Sequence, residues 1–123
     1  MDMTSFLRTA LLRHAFRNTA YTPPATVYVA LYTDVGAGTE VTGGSYARQA
    51  IAFDDVVSDL IDNTSLITFP TASANWGTIR SIALCDASTA GNKMMQKDLT
   101  DPVVINTNGI FKFPAGNVVV GFL

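Results

Sequence analysis

Two hydrophobic periods divide this chain. Near the start, apolar residues recur at helical spacing: Met3, Phe6, Leu7, Ala10, Leu11 and His14 share one side, and Leu12, Ala15 and Phe16 widen the arc. Thr9, Arg13 and Arg17 are left as a narrow polar stripe. Thr4 or Ser5 supplies an N-cap, and the pattern predicts a helix running to about Phe16 or Asn18. Thr22-Pro23-Pro24 closes it, because proline has no N–H to donate and pushes the residue before it out of the helical region; the helix ends by Tyr21. An apolar arc this wide calls for cover on more than one side, from the chain's own sheet or from an adjacent subunit.

From Thr26 the period changes to two. Val27-Tyr28-Val29-Ala30-Leu31-Tyr32 is rich in β-branched and aromatic residues and reads as the first strand. A glycine-rich stretch, Gly36 to Gly44, precedes a second strand over Tyr46–Phe53 in which neither face is purely apolar. Further runs lie at Ser65–Phe69, Thr78–Cys85, Lys93–Leu99, Val103–Asn106, Gly109–Phe113 and Asn117–Leu123, each bounded by Gly, Pro, Asn or Asp. Asn108-Gly109 suits the positive φ angles of a type I′ hairpin turn. Seven to eight short strands without crossover helices predict a mainly β fold, an antiparallel, jelly-roll-like β-sandwich with one N-terminal α-helix. The expected organisation is an amphipathic docking helix over 1–21 and a β-sandwich over 22–123.

At 123 residues the chain can bury a core without disulfides or metals. Charged residues make up 15% of it against 48% apolar, with a mean hydropathy of +0.25. So few charges solvate a monomer surface poorly, and part of the surface is expected to be covered by partners. The net charge of −2 argues against nucleic acid as the main partner. Its distribution says more: residues 1–21 carry three arginines against one aspartate, +2, and the remainder five basic against nine acidic groups, −4. A basic helix on an acidic body invites contact between copies, although three arginines also suit a solvated face. Met1-Asp2-Met3 has no basic leader pattern, and the longest apolar run falls far short of the roughly 20 residues of a membrane span. Synthesis in the cytoplasm and no membrane partner are therefore expected.

Catalytic equipment is sparse. His14 is the sole histidine and lies on the apolar side of the helix, where it reads as a core or interface residue; a triad needs a base beside its nucleophile, and zinc needs three or four ligands. Cys85, within Ile82-Ala83-Leu84-Cys85, reads as a small core residue. Gly43-Gly44-Ser45 is a turn and no nucleophile elbow. Asp54, Asp55, Asp59 and Asp62 have oxygen ligands that suit calcium, but their spacing fits no EF-hand loop, and the core-like pairs Val56-Val57 and Leu60-Ile61 interrupt them; a solvated acidic loop is expected. Trp76 is a core plug at a strand entrance or, in the rival reading, a contact for a host-surface glycan. No catalytic, metal or cofactor-binding residues are assigned.

The segments Tyr21-Thr22-Pro23-Pro24-Ala25-Thr26-Val27-Tyr28-Val29-Ala30-Leu31-Tyr32-Thr33, Gly43-Gly44-Ser45-Tyr46-Ala47-Arg48-Gln49-Ala50, Phe69-Pro70-Thr71-Ala72, Trp76-Gly77-Thr78-Ile79 and Phe113-Pro114-Ala115-Gly116 resemble a family of small tailed-phage structural proteins labelled phage tail fiber proteins. The resemblance implies a non-enzymatic virion component, built in the host bacterial cytoplasm with copies of itself and other phage virion proteins as partners. Tail fiber or tail-associated protein is the leading position, with capsid decoration protein or head fiber base as the alternative. A host-surface carbohydrate-binding module is the rival from another class. The expected subunit interface, a trimer or larger ring, uses Phe6, Leu7, Leu11, Leu12 and Phe16 with Arg13 and Arg17, and Arg48 pairing across strands or subunits.

Overall fold

The computed structural model describes residues 1–122. Its elements are β1 (Asp2–Met3), α1 (Ser5–Phe16), β2 (Val27–Tyr32), β3 (Gln49–Ile51), β4 (Leu60–Asp62), β5 (Ile67–Thr68), β6 (Gly77–Cys85), β7 (Lys93–Ile105), β8 (Lys112–Phe113) and β9 (Val119–Gly121). The fold is mainly β, antiparallel and sandwich-like, with one helix, as the periodicities predict. A five-stranded sheet of order β1-β7-β6-β2-β3 is faced by two short ladders, β4-β9 and β5-β8. That makes nine strands among the described residues, two of them unforeseen, in place of seven to eight.

The core lies between the sheet and the ladders. Val29, Leu31 and Ile79 are wholly buried there with Phe69, Phe111, Phe113, Val118 and Val120, and each large side chain contributes about 1.5–3 kcal/mol by leaving water. Strict alternation along β6 would put Ile79 and Ile82 on opposite faces. A register shift between Ile79 and Ser81 changes the parity, so Ile79, Ile82 and Leu84 all reach this core. The opposite face holds a smaller cluster of Ala30, Tyr32, Ala37, Ala83 and Cys85.

Several expectations need correction. The runs at Lys93–Leu99 and Val103–Asn106 are one strand, β7, despite Pro102. The pairing register jumps from Asp98 opposite Ser81 to Val103 opposite Ile79, so the proline falls where no ladder N–H is required. Asn108-Gly109 forms no type I′ hairpin: Gly109 N–H bonds Asn106 O (2.8 Å) around Asn108 at φ 72°, and the chain passes from β7 to β8, whose partner is β5. The pair of left-handed residues sits instead at Ser58 and Asp59 (φ 51° and 65°), where Val57 and Leu60 exchange both backbone hydrogen bonds. The acidic segment is solvated as expected, with Asp54, Asp55 and Asp59 exposed, and it closes as a hairpin leading into β4. The last run shortens to β9, and Leu123 lies outside the described residues.

Candidate functional site

The helix is fixed at its first turn. Thr4 Oγ1 accepts from Leu7 N–H (3.4 Å) as N-cap and donates to Lys93 O (2.6 Å), while Thr4 N–H bonds Met94 O (3.0 Å). Leu7 is buried in the main core, and Leu11 is half-buried against it. On its other flank the chain folds back ahead of Pro23 and Pro24: Tyr21 N–H donates to His14 Nδ1 (3.2 Å), and the Tyr21 ring meets Phe6 edge-on at 6.5 Å. His14 is thus an exposed acceptor that holds the return segment, not a core residue.

The predicted interface residues separate accordingly. Leu7 and Leu11 serve the chain's own core, and Phe6 is 38% exposed beside Tyr21. Leu12 and Phe16, 59% and 82% exposed, form an uncovered i,i+4 ridge, with exposed Arg13 and Arg17 on the neighbouring row.

Arg48 is an internal clamp, so of its two expected roles, pairing across strands or across subunits, the one seen is within the chain. Its Nε and Nη2 meet Glu40 Oε2 and Oε1, each at 2.8 Å, and Nη1 donates to Ala87 O (2.8 Å) and Ala90 O (2.9 Å). The Tyr46 hydroxyl donates to Glu40 Oε2 (2.7 Å) and accepts from Leu31 N–H (3.0 Å). Burial opposes ionisation of Glu40, but the bonds from Arg48 and Tyr46 outweigh it and hold the carboxyl below its ordinary range. Burial, with the Glu40 charge alongside, drives the Tyr46 hydroxyl upward.

Trp76 is 5% exposed, against Tyr46 and Phe69, and its indole N–H is given to Gly44 O (2.8 Å). The ring has no displayed face, so the glycan-contact reading loses the feature it needs. Cys85 is buried beside the Tyr32 hydroxyl (3.8 Å), and desolvation raises its thiol above the ordinary value, the opposite of what a nucleophile requires. Among the described residues no three His, Cys, Asp or Glu side chains gather as for a metal ion.

A second uncovered apolar surface was missed. Val56, Ile61, Val120, Gly121 and Phe122, with Asp59, line an open groove of about 460 Å³. Val56 is 61% and Phe122 64% exposed, and Val57 and Leu60 also face outward. The core-like pairs are therefore surface, except for half-buried Ile61. Their signal was present as apolar residues interleaved with aspartates; a hairpin turn exposes such a pattern where a strand would bury it. The helix ridge and this groove are thus two uncovered apolar surfaces among the described residues.

No curated protein matches the chain. Residues 2–121 match the family model of podophage GP4 fiber I protein gp80, in keeping with the resemblance carried by the tyrosine, glycine and Phe-Pro motifs. Since the match takes in nearly the whole described chain, the protein belongs to this family of bacteriophage fiber structural proteins.

Proposed function

We propose that the chain is a non-enzymatic structural subunit of the virion, most simply a tail fiber or tail-associated component, repeated as a symmetric oligomer. The observation that carries this reading is the pair of uncovered apolar surfaces, Leu12–Phe16 on α1 and the Val56–Phe122 groove, on a chain with only 15% charged residues. A monomer that leaves both in water forgoes burial that copies of itself, or neighbouring virion proteins, would supply. The internal bonding agrees with a load-carrying role, because the Arg48 clamp and the N-cap tie distant segments together. Mass spectrometry of purified particles tests the reading: the protein is expected among the virion components at a multiple of the local symmetry, and its absence overturns the proposal. A position on the capsid, as a decoration protein or head fiber base, is distinguished by where labelled copies lie on the particle.

A further inference from the structure

The two apolar surfaces differ in charge in a way that selects their partner. The Leu12–Phe16 ridge lies beside Arg13 and Arg17, with Arg8 one turn earlier on the ridge itself. Asp59 lines the groove, and exposed Asp55 directly precedes the lining residue Val56 in the chain. Helix against helix would set the arginine rows of two copies side by side, and groove against groove would do the same with the aspartates; both arrangements oppose like charges. Helix against groove joins apolar to apolar and basic to acidic. No helix residue lines the groove, and the helix is pinned through Thr4 to Lys93 and Met94, so the groove is open to a second copy.

We propose that the Leu12–Phe16 ridge of one copy seats in the Val56–Phe122 groove of the next, as a head-to-tail contact between copies of this chain. The inference rests on the symmetric-assembly reading above and names its surfaces. A contact of this type uses different patches on the two partners, so it closes into a ring when the rotation per copy allows, and otherwise extends as a filament. Phe16 and Phe122 are the large anchors, and the charges at the rim set orientation.

Complementation between two defective variants provides the test, using the full chain, native mass spectrometry and sedimentation. Leu12→Asp/Phe16→Asp removes the ridge, and Val56→Asp/Phe122→Asp removes the groove; each is expected to be monomeric, with a dissociation constant raised at least tenfold. Mixed, they are expected to form heterodimers and nothing larger, because one intact ridge meets one intact groove. Arg13→Glu/Arg17→Glu, changes at exposed positions that spare the core, is expected to weaken assembly and to be restored by Asp55→Arg/Asp59→Arg in the same chain. A mixture that stays monomeric, a wild type that is itself monomeric, or variants that assemble normally would each overturn the contact. If the wild type assembles and the variants do too, symmetric assembly stands and only this pairing fails; if the protein is absent from particles, the virion reading itself fails.

Discussion

Arg48 and Glu40 face each other through two parallel hydrogen bonds of 2.8 Å, and the remaining donor nitrogen of Arg48 holds the Ala87 and Ala90 carbonyls. One side chain therefore joins the start of the second strand region to the loop before β7. Arg48→Ala leaves Glu40 supported by Tyr46 alone and frees both carbonyls, and is expected to cost about 2–4 kcal/mol in urea unfolding. Arg48→Lys should recover little of this, since a single ammonium cannot reproduce the fork. Full recovery by lysine would show that charge alone matters.

Glu40 is one of three carboxyls that set how stability depends on pH. The carboxyls of Asp34, bonded by Thr39 N–H and its hydroxyl, and of Asp86, bonded by Asn92, lie below their ordinary values, as does that of Glu40. A carboxyl lowered on folding stabilises the protein above its unfolded value, about pH 4, and that contribution is lost as pH falls through the folded value. Chemical unfolding between pH 7 and pH 2.5 should show stability steady near neutrality and falling on the acid side. Glu40→Gln should be less stable at pH 7 and should have a shallower acid limb.

Asn63 is a further tie. It is 1% exposed; its Nδ2 donates to Ser65 O and Pro114 O (both 2.9 Å), and its Oδ1 accepts from Val118 N–H (2.8 Å). Asn63→Asp replaces the donor with a buried charge facing two carbonyls, and is expected to cost more than Asn63→Ala, itself about 2–3 kcal/mol. Thermal melts of the two variants give the order directly.

The two sides of the helix should respond differently. Leu7→Ala opens a cavity in the core and should cost about 2–4 kcal/mol, whereas Leu12→Ala and Phe16→Ala should change monomer stability by less than about 0.5 kcal/mol. Equal losses at Leu7 and Phe16 would mean that the exposed ridge packs within the chain.

The helix, its cap and the strands β2 and β6 were legible because each satisfies its own period: Thr4 precedes the apolar arc, and Val27–Tyr32 carries β-branched and aromatic residues throughout. What escaped depended on distant partners. Whether Phe16 or Leu7 is the covered residue is decided by where Thr4 meets Met94, and Arg48 looks alike inside a chain or between chains until Glu40 is placed beside it. Local cues also misled. Asn-Gly is a good I′ pair, yet the connection from β7 to β8 changes sheets, while Ser58-Asp59, a poorer pair, makes the turn because Val57 and Leu60 must bond each other. Asp101-Pro102 signals a break in any strand whose ladder is regular, and β7 passes it only through its register jump.

The central claim, that this chain is a virion structural subunit joined to copies of itself, is tested most directly by a cryo-EM reconstruction of the phage particle. The account predicts density for this fold repeated about a symmetry axis, with Leu12 and Phe16 of each copy enclosed by a neighbour. A particle without this fold, or copies whose helices all face solvent, would contradict it.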